Sequence, residues 1–350
     1  MSRASGASRS NVCHHVGFGE LPSEAVAMEL RQLKYFVAIV ESASISKAAA
    51  KVHVAQSALS LQISHLEEEL GAKLLHRSGS GVTTTERGET FLRHARTVLQ
   101  QVRDAQMAVR TGLDGLDGPA GEVTLAIPQS VSNALALPLI KACRARLPRV
   151  WLRITEELSG HLAEQLRRSQ TMLAIQFDDG ELAEFEVQPL VRERLAVVAV
   201  PGLFTPVDGK LALQQVLALP LILPGDGHGV RPLVDGLIRV AGFPFIQVVA
   251  EITSINILKS MLLAGIGATI QARAPLHDEL KSGSLIAADI IEPDVFRNMA
   301  LCSSRTAAMS EATQAVSRVV FDTVRNLCSK AQWQGAIPLF AMTPDGHKKD

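Results

Sequence analysis

The run Gly112-Leu-Asp-Gly-Leu-Asp-Gly118-Pro119 divides the chain into two parts that do not share one architecture. Gly, Asp and Pro at this density stop a helix and do not continue a strand, so the run reads as a linker. Before it, from about Leu30, the apolar spacing is helical apart from one short hairpin. After Gly121, short apolar runs alternate with amphipathic stretches, the rhythm of an α/β fold. A chain of 350 residues has room for two to three domains and for a core that needs no disulfide or metal staple. Hydrophobic residues at 47% and charged residues at 20% exclude wholesale disorder. Lys+Arg and Asp+Glu both number 35, which excludes a globally basic nucleic-acid coater but permits local positive patches.

Leu30, Leu33, Val37 and Val40 mark a first helix, and Ser44 or Ser46 can cap a second holding Ala48, Ala49, Ala50 and Val52. A third runs from about Gln56 to Leu70 on a stripe of Leu59, Ile63 and Leu66, and Gly71 stops it. Two β-prone pieces around Ser78-Gly-Ser-Gly81 follow, giving a winged helix-turn-helix pattern over 28–88. Thr85 then caps a long helix, about Glu89–Val109. Its apolar face (Phe91, Leu92, Ala95, Val98, Leu99, Val102, Ala105, Met107, Val109) is broad enough to ask for a partner helix.

On the third helix Ser57, Leu61 and Ser64 point outward, with Gln56 and Ser60 on the flank. Such a face, free of bulky charge, can lie against base edges in a major groove: Gln pairs with adenine, Ser donates or accepts, and an apolar group meets a thymine methyl. The same pattern also fits an ordinary solvated helix face. Between Met28 and Gly88 there are seven basic and six acidic residues, so placement matters more than total charge. Lys47, Lys51 and Arg77 can reach phosphates, and Ser78, Ser80, Thr83 and Thr84 of the wing add neutral contacts.

Four scattered cysteines (Cys13, Cys143, Cys302, Cys328) suggest neither a zinc site nor a disulfide framework, but idle thiols in a reducing compartment. The longest apolar stretches, Leu195–Val200 and Val216–Leu223, are too short to span a membrane. Residues 1–27 read as a disordered extension without the apolar core of a signal peptide, and Met28 suggests an alternative start. His14-His15, His53, His65, His76, His161, His228 and His277 lack ligand-like spacing. No phosphate-binding loop, nucleophile elbow or dinucleotide fingerprint occurs, and Gly225-Asp-Gly-His-Gly229 is a turn-rich loop. No catalytic constellation, metal site or cofactor is expected.

The stretch Met28–Gly88 resembles the DNA-binding domain of LysR-type transcriptional regulators. The resemblance is carried by Leu30-Arg-Gln-Leu-Lys-Tyr-Phe36, Ser46-Lys-Ala-Ala49, His53-Val-Ala-Gln56, Ala58-Leu-Ser60, Gln62-Ile63, Leu66-Glu67, Glu69-Leu70-Gly71, Leu74-Leu75, Arg77, Gly81-Val82, Thr85-Glu86 and Gly88. His53-Val-Ala-Gln56 and the Thr97–Val109 stretch are most similar to the nitrogen assimilation control branch. Ser57 stands where the family usually has Pro, Leu61 where it often has Arg or another polar residue, and Ala55 where it has a capping Ser. Leu61 either meets a thymine methyl or contacts protein.

The resemblance implies an α+β multi-domain chain: the winged helix-turn-helix, a dimerisation helix and hinge over 89–118, and an effector-binding domain over 121–330. That last domain would be periplasmic-binding-protein-like, with subdomain I over 121–199 and 267–330, subdomain II over 200–266, and a mobile tail over 331–350. Expected strands are Glu122–Ile127, Val150–Leu158, Met172–Phe177, Leu195–Val200, Leu221–Leu223, Ile246–Ile252 and Ile266–Ala272. Expected helices are Asn133–Arg146, His161–Arg168, Leu211–Leu217, Val230–Val240, Ser254–Leu263 and Ser310–Ser329. A ligand would sit where strand ends meet helix starts, at Gln129, Ser130, Val131, Phe177, Asp178, Ser254, Ile255 and Gln271. Each of these also fits plain loop capping, and an empty cleft stays open, because some relatives in the branch are thought to work without an effector.

The functional expectation is a cytoplasmic, non-enzymatic regulator that binds double-stranded DNA as a homodimer or dimer of dimers. An effector or the oligomeric state would modulate it, and RNA polymerase is a further partner. The alternative is a solute-binding or transferase-like α/β protein with an accessory helical domain.

Overall fold

The computed structural model describes residues 28–79, 81–111, 118–178, 182–225, 229–242, 246–305 and 309–340. The expected disordered extension, Ser80, His228 and 341–350 lie outside them, as does all of the linker run before Gly118. The chain divides into two compact units, one ending at Thr83 and one starting at Thr84.

In the first unit, α1 (Leu30–Ser42), α2 (Ile45–Lys51) and α3 (Gln56–Glu69) pack on one another, followed by a hairpin of β1 (Leu75–Ser78) and β2 (Gly81–Thr84). The anticipated stripe is the core: Leu33, Phe36, Ile39, Leu59, Ile63 and Leu66 are buried. Ser44 is the cap of α2, accepting from the Lys47 N–H at 3.4 Å. Gly81 is required where it stands, because a Cβ there would lie 2.8 Å from the Ala43 carbonyl. Val82 N–H donates to that same oxygen at 3.0 Å, which ties the hairpin to the turn between α1 and α2.

The second unit opens with α4 (Glu86–Thr111), whose start Thr85 caps through Gly88 N–H at 2.9 Å. It begins three residues before the expected Glu89, since Glu86 and Glu89 both suit the positive end of a helix dipole. Leu92, Ala95 and Leu99 are buried, whereas Val98 and Val109 are exposed.

From Gly121 the chain builds a six-stranded sheet in the order β14-β6-β13-β5-β3-β4. Its strands are β3 (Gly121–Pro128), β4 (Val150–Glu157), β5 (Leu173–Phe177), β6 (Phe185–Arg194), β13 (Phe296–Ser304) and β14 (Ala336–Pro338). Helices α5 (Gln129–Arg146) and α11 (Glu311–Ser329) cover one face, and α6 (Ser159–Arg167) covers the other. A second set of strands comprises β7 (Ala196–Ala199), β8 (Lys210–Ala212), β11 (Thr269–Gln271) and β12 (Ile286–Ile291), with a parallel pair of β9 (Leu221–Pro224) and β10 (Val248–Ile252). Helices α7 (Leu213–Leu217) and α8 (Arg231–Ala241) pack on one side of it. Helix α9 (Ile255–Leu263) packs on the other, with Leu276, Leu280 and Leu285 from the stretch around α10 (His277–Ser282).

Three expectations change. The subdomain crossings are not at Val200 and Ile266. Strand β7 pairs antiparallel with both β11 and β12, so everything from Ala196 to Ile291 belongs to the second lobe, and the chain crosses at Leu195 and again before β13. Helix α5 begins at Gln129 rather than Asn133, because Pro128 supplies the extended N-cap geometry. The tail is ordered through Phe340: β14 pairs with β6, and Trp333 is buried.

Candidate functional site

Helix α3 presents Gln56, Ser57 and Leu61 fully to the outside and Ser60 and Ser64 at its margins, while Leu59, Ile63 and Leu66 are sealed beneath. Leu61 is 54% exposed, so it does not pack into its own unit. Ala55 offers no side-chain cap, as the sequence indicates, and the first-turn N–H groups keep their outward partial charge. Arg77 on β1 donates through Nη1 to Ser60 Oγ at 3.0 Å, which brings the wing's guanidinium to the edge of the helix. Ser78 donates to the Gly81 carbonyl at 3.2 Å and shapes the hairpin, and Thr83 is exposed on β2. Lys47 and Lys51 are exposed on α2, and Lys51 is paired with Glu41 at 2.9 Å.

What holds helix and wing together was invisible in sequence. Glu67 heads a run of three acids at the far end of α3, yet it is only 4% exposed. It accepts from Leu74 N–H at 2.9 Å, Leu75 N–H at 3.1 Å and Lys73 Nζ at 2.8 Å. Burial works to raise the carboxyl's pKa, but these donors outweigh it and hold it below its ordinary value. A depressed carboxylate stabilises the fold above its unfolded pKa, and that contribution disappears as pH falls through the folded one. As pH falls below the ordinary glutamate range toward that lowered value, the turn into β1 should therefore loosen. Amide signals of Leu74 and Leu75 should lose protection on acidification, and Glu67→Gln should flatten that dependence.

In the second unit, Ser130 and Val131 are buried in the first turn of α5, Gln129 is half-buried beside them, and Phe177 ends β5 with Asp178 exposed after it. Arg297 on β13 joins two of these: Nη1 donates to Ser130 Oγ at 3.1 Å, and the guanidinium lies 4.4 Å from the Phe177 ring centre. Its counter-charge is Glu193, directly opposite in the β6–β13 register. Arg297 Nε donates to Glu193 Oε2 at 2.7 Å, and Nη2 sits 2.6 Å from the same oxygen as an ion-pair contact without hydrogen-bond alignment. Trp333 Nε1 donates to the other carboxylate oxygen at 2.7 Å. Sequence reading missed Glu193, Arg297 and Trp333, because Glu193 stands among other charged residues of β6 and nothing local marks it as the buried one.

The other expected cleft residues are placed differently. Ser254 caps α9 through Ile257 N–H at 3.5 Å, Ile255 is buried under that helix, and Gln271 is buried with Oε1 accepting from Ala272 N–H at 3.0 Å. A cavity of about 470 Å³ lies instead beside Asn133, Pro138, Lys259, Arg273, His277 and Gln332. Its cations are engaged, Lys259 with Glu279 at 2.9 Å and Arg273 with Asp289 at 2.6 Å.

Burial pushes the Cys143 and Cys328 thiols up to about 11 and Cys302 up to about 12, which makes all three inert; Cys13 lies outside the described residues. Among those residues no group of three His, Cys, Asp or Glu is placed to hold a metal ion, and no helix is long and apolar enough to cross a membrane.

Comparison with known proteins agrees with this geometry. The model described as the bacterial regulatory helix-turn-helix protein, lysR family, matches residues 30–89, and the LysR substrate binding domain matches 116–325. The nitrogen assimilation regulatory protein nac of Klebsiella aerogenes is 32% identical over 301 residues, covering 85% of this chain and 95% of the relative. Its Escherichia coli K12 counterpart is 30% identical over 312 residues, covering 88% and 99%. A full-length OxyR variant from Pseudomonas aeruginosa, with aspartate in place of one cysteine, shares the fold with a TM-score of 0.66 at 23% identity, covering 91% of this chain and 99% of that one. LysG from Corynebacterium glutamicum, solved with bound effector Arg, does so at 0.60 and 23%, covering 85% and 99%. These matches span both parts of the chain, so the solute-binding or transferase-like alternative is set aside. The chain belongs to the LysR family of transcriptional regulators, with a DNA-binding helix-turn-helix domain and an effector-binding domain.

Proposed function

We propose that this regulator reads a pseudo-palindromic duplex by laying α3 in the major groove of each half-site. Gln56, Ser57, Ser60, Leu61 and Ser64 face the bases, and Lys47, Lys51, Arg77, Ser78 and Thr83 hold phosphates. The observation that supports this best is the outward face of α3, with Leu61 exposed and uncharged neighbours around it, flanked by Arg77 fixed at Ser60. Pairing of α4 with its copy in a second subunit covers residues such as Val98 and Val109 and sets two recognition helices one site apart. The assembly is a homodimer or a dimer of dimers, acts in the cytoplasm, carries out no catalysis and communicates with RNA polymerase. The names of its nac relatives favour genes of nitrogen metabolism as targets.

The effector cleft lies between the lobes, with Gln129, Ser130, Val131, Phe177 and Asp178 on one side and Ser254, Ile255 and Gln271 on the other. A ligand entering it meets Arg297 already neutralised by Glu193, so a neutral or weakly charged molecule suits it better than a free carboxylate. A mobility-shift titration on genomic fragments over a salt series tests the DNA reading. Site-selective retardation that weakens steeply with salt is expected; retardation equal on all fragments contradicts it.

A further inference from the structure

Residues 331–340 follow α11 and run back along the edge of the six-stranded sheet, beside β6. Ala331 takes a left-handed conformation (φ 52°), and Gln332 and Trp333 N–H groups both point to the Leu327 carbonyl, at 2.9 and 3.3 Å. Trp333 then enters the core at 1% exposure. Gly335 O accepts from Arg194 N–H at 2.8 Å, and β14 lies opposite Glu193, Arg192 and Val191. Leu339 N–H donates to the Leu190 carbonyl at 3.1 Å, and Phe340 meets Phe321 edge-on at 4.9 Å. The segment is thus fastened along the last part of β6, immediately before the chain crosses to the second lobe at Leu195.

We propose that residues 331–340 form an intramolecular strap in which Trp333 is a positioning residue for the effector cleft, setting Ser130 and Phe177 through Glu193 and Arg297. Each link is short and buried. The indole N–H holds one oxygen of Glu193, whose other oxygen holds Arg297, and Arg297 reaches Ser130 Oγ and lies over Phe177. Glu193 is 0% exposed, so without the indole donor its oxygen finds no water and must be satisfied by rearrangement. The group nearest to hand is Arg297, and any shift of that guanidinium moves it relative to both cleft residues. Peeling the strap from β6 therefore alters the cleft without anything entering it. The regulatory meaning rests on the cleft reading given above, but the coupling itself is measured with no ligand present, so the two stand or fall separately.

The test is hydrogen exchange on the full-length chain, comparing wild type with Trp333→Phe, which keeps a ring and loses the donor, and with Ile337→Ala, an exposed position on β14. Trp333→Phe should speed exchange about tenfold in peptides covering 129–134 and 173–178, leaving 255–263 unchanged. Ile337→Ala should leave all of these at the wild-type rate. The double variant Trp333→Phe/Ser130→Ala should exchange at the cleft no faster than the faster single variant, since both cut one chain of contacts. An effect confined to the strap and β6, a uniform rise across 121–340, or additive effects in the double variant would each overturn the proposal.

Discussion

Replacing Glu193 with alanine should cost the second unit about 3–5 kcal/mol of stability, because it strands a buried guanidinium. Arg297 is 4% exposed, and its remaining polar contact is a neutral hydroxyl, Ser130. Removing the carboxylate also leaves the Trp333 indole N–H without its acceptor. The pair itself is not expected to be a large net source of stability, since desolvating two charges offsets most of their attraction. Glu193→Leu combined with Arg297→Met should accordingly recover most of the loss. Guanidinium unfolding followed by tryptophan fluorescence separates the cases. A Glu193→Ala chain within about 1 kcal/mol of wild type would mean that water reaches the site and that the network is not dry.

Gly229→Ala should be similarly harmful for a steric reason. A Cβ on Gly229 would lie 2.0 Å from Phe177 Cδ2 and 2.6 Å from Cε2, far inside contact distance. The ring is buried and lies against Arg297, so it does not swing away freely. Overpacking of this kind costs about 1–3 kcal/mol, and here it also wedges the end of β5 away from the start of α8. Phe177→Ala removes every colliding atom, Cγ, Cδ2 and Cε2 alike, so adding Gly229→Ala to a Phe177→Ala chain should cost little further thermal stability. A large further loss would show that the glycine answers to something other than the ring.

These two positions mark where sequence reading stopped. The helical stripe of α3, the Ser44, Thr85 and Ser254 caps and the strands around β3 and β5 follow from period and capping chemistry, which act locally. Strand β6 did not, because Pro189 and four charged residues break its apolar pattern. The structure tolerates Pro189 at a register shift opposite Met299 and Ala300. The lobe boundary was misplaced because β11 and β12 pair with β7, a choice made by long-range register that no local pattern encodes. Gly229 looked like a turn glycine, while its reason for being glycine is a ring 52 residues earlier in the chain. Glu67 and Glu193 were hidden alike, since a buried carboxylate has the same letter as a solvated one and differs only in its donors.

The outward residues of α3 were legible because a helix is a local object: its inner stripe of Leu59, Ile63 and Leu66 fixes which side stays exposed. The most direct measurement is the affinity of Gln56→Ala and Arg77→Ala for a footprinted operator and for unrelated duplex, across a salt series. If α3 reads bases, Gln56→Ala should lose about 1–3 kcal/mol on the operator and little on unrelated duplex, with the salt slope unchanged. Arg77→Ala should weaken both duplexes alike and flatten the slope. Equal losses on both duplexes for Gln56→Ala would contradict the account, because they would make that face of α3 a scaffold rather than a reader.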